Sequence, residues 1–181
     1  MKKVLLIQPP FHGFYDQAKV KVAVPDRPSL TFATLAAPLL QHGHEVSILD
    51  LNQESQPMKA LETSLQDFRP DFVGITCSTP LYFGAKDIAA AVKQHNLETR
   101  VVIGGVHPSS FPQETLADTQ VDFVCVGEGD YVLLDIVEGQ APEAISSLWY
   151  RRDGHMVSGP TKQFIKDMDA LPYPSWHLFD L

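Results

Sequence analysis

The sequence predicts an α/β fold: a flavodoxin-like (Rossmann-like) doubly wound parallel sheet of five strands in the order 2-1-3-4-5. Three observations predict it. Short, wholly apolar runs of strand length alternate with helical patterns along most of the chain, as strands buried on both faces by crossover helices require. Two of those runs end in glycine-rich polar turns, Val101 to Gly105 leading into Val106-His107-Pro108, and Val121 to Val126 leading into Gly127-Glu128-Gly129-Asp130. The 181 residues are 44% apolar and 20% charged, and no run reaches the roughly 18 apolar residues of a membrane span.

Residues 4–7 form the first strand. Ser29 then caps a helix carrying Leu30, Ala33, Leu35, Ala36, Leu39 and Leu40, closed by Gly43 and kinked at Pro38. Residues 45–51 read as the second strand, 58–68 as the second helix and 72–77 as the third strand, with Pro70 making the break between them. A third helix over 81–95, a fourth strand over 100–103, a short helix over 112–117, a fifth strand over 122–126 and a helix over 130–137 complete the set. After Gly139 the pattern changes. Residues 145–152 and 155–157 flank Asp153-Gly154, a hairpin-turn signal, so an antiparallel pair follows the last helix. Residues 160–181 contain Pro172, Pro174 and Trp176 with little periodicity and read as a linker. Phe164, Ile165, Leu171, Tyr173, Trp176, Leu178 and Phe179 make it too apolar for a free tail. It must lie on the domain itself or on another copy of the chain, and the second option is a homodimer through this segment. The expected division is therefore 1–140 for the ligand-binding domain, 141–159 for the hairpin appendage and 160–181 for the linker.

In the 2-1-3-4-5 order the switch point lies between strands one and three, and the crevice there is the expected ligand site. Four loops leave the carboxyl ends of strands around it, over residues 8–13, 76–81, 104–109 and 127–130. Glycine turns at such ends let a ligand approach the peptide plane.

A net charge of −8 argues against nucleic acid, since phosphate binding needs clustered Lys and Arg and only Arg151-Arg152 pair up. The amino terminus has four apolar residues before Gln8-Pro9-Pro10, too few for a signal-peptide core, and a cytoplasmic location is expected. Cys77 and Cys125 sit in apolar runs with no Cys-x-x-Cys or Cys/His cluster, as small buried residues in a reducing compartment do. Gly-x-Gly-x-x-Gly is absent after the first strand, so a nicotinamide dehydrogenase is not expected despite Asp50 at the end of the second.

Five segments together carry a family resemblance: Gln8-Pro9-Pro10, Gly43-His44-Glu45-Val46, Gly104-Gly105-Val106-His107-Pro108, Gly127-Glu128-Gly129-Asp130 and Asp169-Ala170-Leu171-Pro172-Tyr173-Pro174. In order and placement the chain resembles the amino-terminal cobalamin (vitamin B12)-binding domain of cobalamin-dependent radical S-adenosylmethionine (SAM) enzymes. The resemblance implies cobalamin as cofactor. It also implies, in a full-length enzyme, a following radical SAM domain holding a four-iron four-sulfur cluster and SAM, and methyl transfer or related radical chemistry there. The alternative is a standalone noncatalytic cobalamin carrier, sensor or interaction module.

The site that the resemblance implies comprises Gln8, Pro9, Pro10, Phe11, Thr76, Cys77, Ser78, Thr79, Leu81, Gly104, Gly105, Val106, His107, Gly127, Glu128 and Gly129. Ser78 and Thr79 would hydrogen-bond the cofactor's tail, while Gly104 and Gly105 let it pass along backbone. The bland readings are a helix cap for Ser78 and simple turns for the glycines. His107 either bonds the tail or is a turn histidine beside Pro108. For Glu128 and Asp130, complementing the dipole of the helix they open is the stronger reading, ahead of general-acid or metal work. Many cobalamin proteins present Asp-x-His-x-x-Gly after the first strand. Here Pro10 stands two residues before His12 and Gly13 follows at once, so His12 lacks an orienting carboxylate and is a poor cobalt ligand. No catalytic residue and no metal ligand is expected, and the chain alone should not turn over.

Overall fold

The computed structural model describes residues 1–11, 28–161 and 164–179. Its parallel strands are β1 (Lys3–Gln8), β2 (Glu45–Asp50), β3 (Phe72–Thr76), β4 (Arg100–Gly104) and β5 (Phe123–Cys125). Between and after them run α1 (Leu30–Gln41), α2 (Pro57–Phe68), α3 (Tyr82–His95), α4 (Val106–Ser110), α5 (Pro112–Ala117) and α6 (Asp130–Val137). The hairpin strands are β6 (Leu148–Arg152) and β7 (His155–Ser158).

Strand order is β2-β1-β3-β4-β5-β6-β7, which contains the expected 2-1-3-4-5 arrangement. The hairpin extends that sheet instead of lying beside it, because β6 pairs antiparallel with β5 (Val124 opposite Trp149) and covers an edge that would otherwise expose unpaired backbone. Arg152 pairs directly with His155. The two residues between them, Asp153 and Gly154, have φ of 50° and 78°, the left-handed pair that a tight hairpin turn demands.

Adjacent residues of each buried strand serve opposite faces. Leu5, Ile7, Val73, Ile75, Val101 and Ile103 pack toward Leu61, Leu65, Ile88 and Val92 of α2 and α3. Val4, Leu6 and Val102 pack toward Phe32, Ala36 and Leu39 of α1 and Leu133, Leu134 and Val137 of α6. The Ser29 hydroxyl caps α1 as expected, accepting from Phe32 N at 3.4 Å. One helix was not expected: α4 lies within the stretch read as a glycine loop. Its first turn is closed by side chains, with the Ser109 and Ser110 hydroxyls donating to the carbonyls of Gly105 and Val106.

The apolar carboxyl-terminal segment packs on the domain only in part, since Phe164, Tyr173 and Trp176 stay exposed. Ser175 N donates to Ala33 O at 2.8 Å, Tyr131 Oη donates to Ala170 O at 3.3 Å, and Leu178 and Phe179 rest against the α1/α6 core. Among the described residues, no helix is long and apolar enough to cross a membrane.

Candidate functional site

On the α1/α6 face of the sheet, at the carboxyl ends of β3, β4 and β5, the chain leaves a cavity of about 380 Å³, within the range of small-molecule sites. Its origin is the absence of side chains. Gly74, in the middle of β3, stands beside Leu6 of β1 and Val102 of β4. A Cβ there would lie 2.9 Å from Leu6 Cδ2 and 4.0 Å from Leu133 Cδ2. Gly104 follows Val102 by two residues and so faces the same side, opposite Thr76 in the β3–β4 register. Leu6, Val102 and Leu133 make the apolar floor and back wall. Leu30, Thr31, Thr34 and Leu35 of α1 form one side, and Gly127, Glu128, Gly129 and Asp130 lead α6 along the other. Gly129 would place a Cβ 3.1 Å from Leu35 Cδ2, so its small size sets how closely α6 approaches α1.

Of the residues expected from the sequence, Thr76, Gly104, Gly105, Gly127, Glu128 and Gly129 come together around this cavity. The others lie at the carboxyl ends of β1, β3 and β4 without lining it. Gln8 and Pro9 follow β1, Pro9 lying near Gly84, and Phe11 N donates to Asn52 Oδ1 at 2.6 Å. Pro10 is half-buried between them. Cys77 turns to the opposite face, into the core under α2 and α3; burial pushes its thiol up to about 12, so it stays protonated and inert. Ser78 precedes a short turn over Thr79–Leu81 whose Leu81 is buried, while Val106 points to solvent. His107 is buried between the rings of Tyr82 and Phe111, at centroid distances of 4.1 and 5.3 Å, with Thr79 Oγ1 at 3.4 Å from Nδ1. His12 lies outside the described residues. Among the described residues, no group of His, Cys, Asp and Glu could hold a metal ion.

Two residues serve purposes the sequence did not disclose. Gly105 has φ of 109°, and a Cβ would sit 2.6 Å from Cys77 O. Its backbone is zipped to the end of β3, where Cys77 N donates to Gly104 O at 2.8 Å and His107 N to Cys77 O at 3.2 Å. Glu128 accepts from Ile165 N at 2.7 Å and so also anchors the carboxyl-terminal segment. Gly74 and the α1 wall were missed. A glycine inside an apolar strand is the available signal for Gly74, since it marks close approach by another group.

A mostly parallel sheet with an apolar slot at its strand ends, bordered by glycine turns, has the form in which α/β domains bind small molecules. The chain belongs to the B12 binding domain family, which its residues 18–137 match. It is 29% identical over 184 residues to the uncharacterized methyltransferase PH0819 of Pyrococcus horikoshii, covering 99% of this chain and 39% of that protein. It shares its fold with the radical S-adenosylmethionine methyltransferase TsrM of Kitasatospora setae, solved with cobalamin and a four-iron four-sulfur cluster bound (TM-score 0.71, 22% identity, 88% of this chain and 31% of that one). The same holds for the cobalamin-dependent S-adenosylmethionine radical enzyme OxsB, solved with aqua-cobalamin (TM-score 0.77, 19% identity, 97% and 24%). The chain thus spans well under half the length of each of these proteins.

The residues present suit part of a cobalamin, because Gly74 leaves space that a Cβ would fill 2.9 Å from Leu6 Cδ2. An elongated nucleotide tail needs a slot free of side chains that runs in from strand ends, and Gly74 and Gly104 supply one.

Proposed function

We propose that this chain binds and orients cobalamin as one domain of a longer radical SAM enzyme, with methyl transfer or a related radical step as the reaction of the whole. The observation that carries the reading is the slot made by Gly74 and Gly104 in a member of the B12 binding domain family. Bound cobalamin would supply a cobalt able to carry a methyl group.

The chain's own residues do the holding. Gly74, Thr76 and Gly104 accept the tail, Leu6, Val102 and Leu133 exclude water from it, and the turns at Gly105 and 127–129 border the mouth. Gln8, Pro9, Pro10, Phe11, Ser78, Thr79, Leu81, Val106 and His107 form the surrounding rim in this reading. Residues 1–140 are the cofactor domain, 141–159 complete its sheet, and 160–181 lead toward a domain carrying the cluster and SAM. That domain is the main partner. A homodimer through the carboxyl-terminal segment is the other, with Leu178 and Phe179 against the domain's own core and Phe164, Tyr173 and Trp176 left exposed for such a contact. A cytoplasmic location belongs to the same reading and is supported by the buried thiols of Cys77 and Cys125.

Titration with hydroxocobalamin, followed by calorimetry and by the visible spectrum, tests the binding. Saturable one-to-one uptake is expected, and none up to about millimolar cofactor overturns the reading. A standalone carrier would bind equally well. A Cys-x-x-x-Cys-x-x-Cys encoded just beyond Leu181 favours the enzyme, and a stop codon there the carrier. The chain alone, given SAM and reductant, is expected to show no turnover.

A further inference from the structure

We propose that Ser109 is a positioning residue of this site, pinning to each other the two glycine turns that border the cavity. The inference rests on the reading that the cavity takes cobalamin.

The Ser109 hydroxyl, on α4, donates to Gly105 O at 2.7 Å and accepts from Gly127 N at 2.9 Å. A hydroxyl has one proton, so the donation to Gly105 fixes its orientation and leaves a lone pair for Gly127. Each turn is tied to a different neighbour rather than to the other turn, Gly104 O and His107 N to Cys77, and Val126 N to Ser147 O. Gly105 and Gly127 have φ of 109° and 88° and carry no side chain. The ladder between their strands stops short of them, pairing only Val102 with Phe123 and Ile103 with Val124. Beyond Ile103, the hydroxyl of Ser109 spans the two strand ends, and both turns it joins line the cavity. The bridge therefore sets the width of the mouth and occupies the Gly127 amide, which would otherwise be a half-buried donor seeking another partner.

Ser109→Ala removes the bridge, and Ser109→Thr keeps the hydroxyl. In the cofactor-free chain, amide exchange at Gly127 is expected to accelerate about tenfold or more in Ser109→Ala and to stay near wild type in Ser109→Thr, while the Cys77 amide remains protected in both. Hydroxocobalamin affinity is expected to fall about fivefold or more in Ser109→Ala and to stay within about twofold in Ser109→Thr. Unchanged Gly127 exchange, unchanged affinity in Ser109→Ala, or equal losses in both variants overturns the assignment. If wild type takes up no hydroxocobalamin, the cofactor reading fails, and Gly127 exchange alone then decides whether the pin exists.

Discussion

The backbone amide of Ile165 donates to the carboxylate of Glu128 at 2.7 Å, so a residue at the cavity's edge also fastens the segment that returns across the domain. Charge strengthens such a bond relative to one between neutral groups. With Tyr131 Oη on Ala170 O and Ser175 N on Ala33 O, the segment is tied to both α1 and α6, the two helices that wall the cavity.

Glu128→Ala is expected to release the near end of that segment. The Ile165 amide should exchange about tenfold faster or more, while the Ser175 amide, held by Ala33, keeps its protection. Hydrogen exchange read residue by residue checks this, and equal acceleration at both sites would mean the ties act as one unit.

Gly104→Ala is expected to separate fold from binding. The added Cβ meets Cys125 Cβ at 3.7 Å, an ordinary contact, so the melting temperature should move by no more than about 2 °C. The methyl faces the cavity, and hydroxocobalamin affinity should drop about threefold to tenfold by calorimetry.

Gly105→Ala should do the reverse. A methyl at φ of 109° and 2.6 Å from Cys77 O strains the backbone and breaks the zip to β3. Thermal unfolding without cofactor should show a loss of about 2 kcal/mol or more. A variant as stable as wild type would show that the β3 end can yield.

Burial raises the Cys77 thiol from 9.0 to about 12. Above pH 9 the unfolded thiol ionises while the folded one holds its proton, so the native state binds more protons and loses stability as pH rises. Cys77→Ala is expected to flatten the alkaline fall of the urea midpoint relative to wild type. The native thiol should also resist Ellman's reagent at pH 8.

The parallel order and the hairpin turn were readable in the chain because apolar runs and Asp153-Gly154 are local signals. The cavity was readable only in part. Thr76, Gly104 and the turn at 127–129 lie at strand ends, where ligand sites are expected. Cys77 adjoins Thr76 in the sequence, but one step along a strand reverses the face, and that parity is legible in the sequence. Gly74 gains its meaning from the register that sets it between Leu6 and Val102, and the role of Gly105 from the backbone of Cys77 against it. Such non-local approaches leave no mark on neighbouring residues.

The helical walls of the cavity, α1 and α6, lie at opposite ends of the strand-by-strand progress of the chain. During synthesis, a ribosome that has released β1 to β4 has displayed the apolar floor and one wall, with Leu6, Gly74 and Val102 facing water where Leu133 will later cover them. The pocket comes into being only when α6 docks on α1, late and over a long sequence separation. A cavity closed on both sides is therefore a property of the finished domain, because α6 supplies Leu133 and Asp130 to its wall.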